Sequence, residues 1–295
     1  MRHKSCIHHV PNGATVGPDW TVYDSTGTVL QQIVPCGYPT YKISDTVTAG
    51  TSGWVAYAEQ GVPSSSSSWT LIAGDVEVPA TPSDTSANIS YWNGLEPGDA
   101  GNQVLQPAIV WGPNWYYGSS SNRWSEIAVN QFADTSDEIN SDMTEVSTND
   151  LVVLEVYLDS ISAADTCAWN MTSSGWEYRC GYQWAYVVLA YDTNTGAEES
   201  ITVYQSSTGE DTPPEGVLFP NAYPAVYESY GDTTCEDGAI FENNGLYSND
   251  STNLLDENVQ NFGPGGGAAG GGVSPCSYGF WTYGTSSPPN NIWIY

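Results

Sequence analysis

The chain has 295 residues, 40% of them hydrophobic, with 34 Asp and Glu against 5 Lys and Arg and a formal net charge of -29. So few cations leave no basic stripe to neutralise phosphates, which argues against nucleic acid or an anionic membrane as a partner, and no apolar run reaches the ~20 residues of a spanning helix. Self-repulsion keeps such a chain soluble near neutrality and fades as pH falls through the ordinary carboxylate range near ~4, so the balance suits an acidic medium.

Length alone allows two domains, yet sandwiches of ~200–250 residues are commonly one unit, so one core with decorations is expected. Its filling is unusual, with 20 Tyr and 12 Trp against 5 Phe. Aromatics with a polar handle suit half-buried sheet faces and ligand grooves alike. Residues 1–63 read as an N-terminal extension. Short alternating runs around Thr21-Val22-Tyr23 and Val29-Leu30-Gln31-Gln32-Ile33-Val34, broken by Asn12-Gly13 and Ser25-Thr26-Gly27, predict a hairpin stapled by Cys6 and Cys36. The three histidines, His3, His8 and His9, have no acidic ligands at set spacing and read as surface; no metal and no cofactor is expected. Residues 1–6 lack the apolar stretch of a secretory signal, so any export signal is expected to have been removed or left out.

A serine tract, Ser64 to Ser68, leads into the body of the chain, residues 69–247. Strand-like segments at 69–78, 89–95, 103–111, 124–132, 151–158, 182–191, 200–205 and 225–230 are separated by Gly, Asn, Asp and Pro, and helical periodicity is nearly absent. Many short strands with turn residues between them predict an all-β, antiparallel sandwich or barrel. Residues 248–295 begin as a Gly-rich linker (Gly263-Pro264-Gly265-Gly266-Gly267, Gly270-Gly271-Gly272) and end in an aromatic tail too apolar to stay in solvent, which is expected to return to the body.

Six cysteines, with no C-x-x-C, read as three bridges, Cys6 to Cys36, Cys167 to Cys180 and Cys235 to Cys276, each closing a short loop. With sequons at Asn88, Asn170 and Asn249 they point to an extracellular, secreted glycoprotein. Familiar catalytic spacings are missing: there is no G-x-S-x-G, H-E-x-x-H, phosphate loop or dinucleotide fingerprint. With all histidines in the first nine residues and the thiols committed to bridges, carboxylates and amides remain to carry any chemistry.

Tyr91-Trp92-Asn93-Gly94-Leu95, Val104-Leu105-Gln106, Trp124-Ser125-Glu126 and Asp192-Thr193-Asn194-Thr195-Gly196 follow Val76-Glu77-Val78-Pro79 in an order that resembles the glutamic peptidases called eqolisins, over roughly residues 69–243. The resemblance implies a concanavalin-like jelly roll and a secreted, acid-acting endopeptidase that activates water with a Gln and a Glu. It makes Gln106 the catalytic glutamine, Trp92 the aromatic beside the substrate and Glu126 the carboxylate of the family's W-x-E strand. The family's glutamate directly follows an Asn-Ala pair; here Asn221-Ala222 is followed by Tyr223, and Glu228 is the acid on that strand. Glu228 is therefore taken as the base and Glu126 as a reserve carboxylate.

A carboxylate is a competent base only where it is partly ionised, so an acidic optimum is expected. The amide of Gln106 donates to a developing oxyanion and accepts from the attacking water. A second reading comes from another class: Trp111, Trp115 and Tyr116 as a platform for a polysaccharide, with Glu126 and Glu228 as a glycosidase pair. A third is an inactive extracellular module whose tail mediates assembly. The partner is thus a polypeptide or a polysaccharide, and oligomeric state is left open.

Overall fold

The computed structural model describes residues 7–17, 19–34, 53–61, 67–82, 85, 89–96, 103–112, 122–132, 138–172, 175–206, 221–228, 240–250, 258–260, 267–268, 280–283 and 290–294. In chain order the first strands are β1 (Ile7–His9), β2 (Ala14–Val16), β3 (Thr21–Tyr23), β4 (Val29–Gln32), β5 (Gly53–Gly61), β6 (Ser67–Glu77) and β7 (Ile89–Glu96). Next come β8 (Gln103–Gly112), β9 (Arg123–Phe132), β10 (Glu138–Asn140), β11 (Thr144–Glu145), β12 (Leu151–Thr172), β13 (Gly175–Asp192) and β14 (Glu198–Ser206). The last are β15 (Asn221–Glu228), β16 (Ile240–Asp250), β17 (Asn258–Gln260), β18 (Gly267–Ala268), β19 (Phe280–Tyr283) and β20 (Asn290–Ile294). Among the described residues there is no helix, so none is long and apolar enough to cross a membrane.

The strands form two sheets packed as a sandwich. The first runs β1-β10-β9-β8-β7-β15-β5-β18, with β11 also on β9; the second runs β19-β20-β16-β6-β12-β13-β14-β2-β3-β4, with β17 on β16. The expectation of a purely antiparallel sandwich needs one correction: β1 pairs parallel to β10 and β2 pairs parallel to β14. Both parallel pairs use the N-terminal segment. Its hairpin extends the second sheet through β2, while β1 closes the far edge of the first. The aromatic tail does return: β20 pairs with β16 and β19 with β20.

Between the sheets the alternation is strict. Ile72 and Val76 of β6, Val152, Leu154 and Val156 of β12, Tyr186, Val188 and Ala190 of β13, and Ile201 and Val203 of β14 face Ile89, Tyr91 and Leu95, Leu105 and Ile109, and Trp124 and Ala128 of the first sheet. Each fully buried aliphatic side chain of this set contributes roughly 1.5–3 kcal/mol relative to exposure. Trp111 belongs here too, 5% exposed and 5.5 Å from Trp124 centroid to centroid, with Tyr91 at 5.6 Å on the same Trp124. The expected sugar platform therefore loses Trp111 to the core.

The first sheet is apolar on its other face as well: Trp92, Val104, Ala108, Ile127 and Val129 form a second buried cluster there, joined by Val110 and Met143. β12 and β13 run on as a long hairpin in which Cys167 and Cys180 are direct register partners. Asn170 and Asn249 fall in β12 and β16. Asn88, Trp115, Tyr116, Cys6, Cys36, Cys235, Cys276, serines 64–66 and the glycines at 263–266 and 270–272 lie outside the described residues.

Candidate active site

Successive side chains of a strand point to opposite faces, so the two clusters of the first sheet assign each site residue to a side. On β7, Ile89, Tyr91 and Leu95 join the core between the sheets, and Asn93 points the same way, its Nδ2 donating to the Leu154 carbonyl of β12 at 3.1 Å. Trp92 is on the outer face. On β8, Leu105 and Ile109 are inward, Val104 and Ala108 outward, which puts Gln106 outward with Trp92. On β9, Trp124 and Ala128 are inward and Ile127 and Val129 outward, so Glu126 is inward. The register agrees, pairing Gln106 with Val129 and Glu126 with Ile109. Gln106 and Glu126, expected to work together, are on opposite sides of the sheet.

Gln106 is half-buried, and its neighbours on that face, Val104, Ala108 and Val129, are apolar. An amide in such surroundings makes stronger hydrogen bonds than one in water, because the local dielectric is low. On its other side lies Gly94. The flanking pairs Trp92 with Ala108 and Leu95 with Leu105 set Gly94 opposite Gln106. A Cβ on Gly94 would sit 2.5 Å and 2.8 Å from ring carbons Cζ3 and Cε3 of Trp92 and 3.0 Å from the Leu105 carbonyl oxygen. The indole thus lies over the glycine backbone beside Gln106, a position only glycine permits. The motif Trp92-Asn93-Gly94 is accounted for residue by residue: one aromatic for the outer face, one amide clasping the other sheet, and one glycine as the floor under the ring.

Glu126 is 0% exposed and, among the described residues, neither of its carboxylate oxygens has a hydrogen-bond partner. Burial, with added repulsion from Asp192, Glu199, Glu198 and Asp150, pushes its carboxyl up to about 8. Its register neighbour Thr144 donates to Glu199 at 2.6 Å, and Glu199 is itself raised by burial, a rise the Thr144 bond opposes. Asp192 shapes a turn: its carboxylate accepts from the Asn194 backbone amide at 2.8 Å and the Thr195 hydroxyl at 2.6 Å, and Gly196 closes the turn at φ +76°. The stretch 192–196 is therefore the turn that joins β13 to β14.

The β15 strand decides the remaining acid. It pairs with β7 in an unbroken register, Tyr223 with Gly94, Ala225 with Trp92 and Glu228 with Ile89. Tyr223 takes the row of Gly94 and Gln106, whereas Glu228 takes the row of Ile89, which belongs to the core. Five residues also separate Gly94 from Ile89, about 17 Å along a strand. The structure does not bring Gln106 and Glu228 together, and the pairing expected from the sequence is corrected on that ground. What did assemble on the outer face is Trp92, Gly94 and Gln106.

No family model matches the chain, and no curated protein matches it. Among solved structures it is similar to scytalido-glutamic peptidase with a transition state analog inhibitor, at 13% identity and a TM-score of 0.44, covering 84% of this chain and 98% of that one. A second structure of that peptidase, with a peptide-based transition state analog, gives 13% and 0.42 over 83% and 98%. SCP-B, a member of the eqolisin family in complex with the tripeptide Ala-Ile-His, gives 12% and 0.39 over 84% and 98%. These likenesses are too distant to carry a residue's role from one chain to the other.

Proposed function

We propose that this protein is an exported, acid-acting hydrolase of polypeptides, and that its working face is the outer face of the first sheet around Gln106 and Trp92. One observation carries the reading: Gln106 is a half-buried amide set among apolar side chains, with the Trp92 indole laid beside it over Gly94. An amide so placed stabilises the oxyanion that develops when water attacks a peptide carbonyl, and the aromatic ring offers an apolar wall to a substrate side chain. Export is supported by the sequons and by six cysteines in a chain with 5 cationic residues. The test is cleavage of an acid-denatured protein between pH 2 and 7, read as new N-termini. Gln106→Ala is expected to lower the rate ~10²–10³-fold, the typical effect of removing one oxyanion donor. Equal rates in the two proteins refute the reading.

Tyr223 in the row of Gly94 and Gln106 supports a second reading, a face that binds extended peptide without cleaving it. It predicts saturable binding of a denatured polypeptide, lost in Gln106→Ala, with no new N-termini at any pH.

A further inference from the structure

We infer that the outer face of the second sheet is a homodimer interface, on which a second copy of this chain packs about a two-fold axis through Glu155. The inner rows of β6, β12, β13 and β14 fill the core, so their alternate residues face outward. Register places Glu155 between Ala73 and Leu189. On one side of that row Tyr157 lies between Leu71 and Val187, and on the other Val153 lies between Asp75 and Tyr191. Seven of these nine positions are apolar or aromatic, on the kind of face that is ordinarily polar. All nine are half-buried, whereas the apolar cluster on the first sheet's outer face is only 1–9% exposed. Among the described residues no strand forms a third layer over the second sheet.

Charge and shape point to a second copy rather than an unlike protein. Two copies of so acidic a chain repel wherever acids are dense, and this block holds only Asp75 and Glu155 of the 34. An axis running along β12 sets Leu189 opposite Ala73 of the second copy, Leu71 opposite Val187, and the Asp75 carboxylate opposite the Tyr191 hydroxyl. A bulky side chain then meets a small one, and an acceptor meets a donor. Glu155 meets its own equivalent: two protonated carboxyls bond each other reciprocally, where two carboxylates repel. Burial among apolar neighbours raises the Glu155 carboxyl, so it keeps its proton to higher pH. The ionisable groups around it are Asp75 and Glu77 on β6, Tyr157 and Asp159 on β12, Tyr191 on β13 and Glu198 on β14, and no Lys or Arg occurs in residues 67–77, 151–160 or 183–206. The dimer is therefore present in acid and is lost as pH rises and Glu155 ionises. The block spans about 10 Å across the strands and about 13 Å along them, the core of a standard ~800 Å² patch rather than all of it, so the association is weak.

Sedimentation equilibrium of the full-length protein at about 5–500 µM chain in about 0.15 M salt, at pH 4 and pH 7.5, tests this, with unfolding midpoints recorded for each variant. The wild type is expected to approach twice the single-chain mass at pH 4 and to stay near the single-chain mass at pH 7.5. Glu155→Gln, whose amide donates and accepts at every pH, is expected to keep the acid affinity and to associate at least ~10-fold more tightly than the wild type at pH 7.5. Leu189→Lys puts a charge beside the axis and is expected to weaken the dimer at least ~30-fold at pH 4; if it does not fold, Val153→Lys serves with the same expectation. A wild type that is monomeric at pH 4 overturns the inference. So does a dimer that survives the lysine change, or a Glu155→Gln protein no more associated than the wild type at pH 7.5.

Discussion

Replacing Glu126 by glutamine removes a pH-dependent penalty on folding, and its size follows from the site. The carboxyl is fully buried between the sheets and pushed up to about 8 from an ordinary 4.5. Below pH 4.5 folded and unfolded chains both hold the proton, and the group adds no pH dependence. Between 4.5 and 8 only the folded chain holds it, so stability falls as pH rises, by about 1.4 kcal/mol per pH unit, and levels off above 8. Across that window the loss attributable to this one carboxyl is on the order of 3–5 kcal/mol, a large part of a typical domain's net stability. Glutamine has nearly the same shape and cannot ionise. Glu199 and Glu155 are also raised by burial, and because both proteins keep them they largely cancel in the difference. Urea unfolding at half-unit steps from pH 4 to 8.5 is the assay. The wild type is expected to lose stability faster than Glu126→Gln by one proton's worth of slope, with the variant within about 1 kcal/mol at pH 4 and ahead by on the order of 3 kcal/mol at pH 8. Parallel curves for the two proteins refute the buried, protonated carboxyl.

Gly94→Ala drives a methyl group into the Trp92 ring and the Leu105 carbonyl; it is expected to cost about 1–3 kcal/mol and raise KM for peptide, and unchanged kinetics would show that the indole does not depend on the glycine floor. Asn93→Ala removes the inter-sheet bond to Leu154 and is expected to lower the unfolding free energy by about 1–3 kcal/mol with KM unaltered; a loss of peptide affinity at full stability would contradict its inward placement. Cys167 and Cys180 face each other in the β12–β13 ladder, where antiparallel Cα separations of about 4.5–5.5 Å fall in the range a disulfide needs. Peptide mapping without reductant is expected to recover the two cysteines in one linked fragment, and two separately alkylated thiols would end the assignment.

Strand existence was legible because strand length and turn residues are local. The segments predicted at 89–95, 103–111 and 124–132 are β7, β8 and β9 within about two residues. β5 was missed, since Gly53–Gly61 alternates small and aromatic residues without a clean polar face, and β10 and β11 are too short to show a period. The faces were not legible, for a physical reason: the first sheet buries apolar side chains on both sides, so Trp124-Ser125-Glu126-Ile127-Ala128-Val129 has no polar-apolar alternation from which to read parity. Gln106 and Glu126 thus looked like neighbours while belonging to opposite sides. Glu228 failed differently. Its parity relative to Pro224 and Val226 was plain, but which row faces Gln106 depends on the β15–β7 register, and a register between strands more than a hundred residues apart leaves no trace in either segment. Trp92-Asn93-Gly94 was found by motif; the reason for its glycine came only with the indole above it.

The claim on which the rest depends is that the two faces of one sheet have different work, chemistry outside and packing inside. Rates of cleavage of a denatured protein at acidic pH, measured for Gln106→Ala and Glu126→Gln in parallel with the wild type, test it most directly. The outer-face change is expected to reduce the rate ~10²–10³-fold and the inner-face change by less than about threefold. Loss of activity in Glu126→Gln with activity retained in Gln106→Ala would contradict the account.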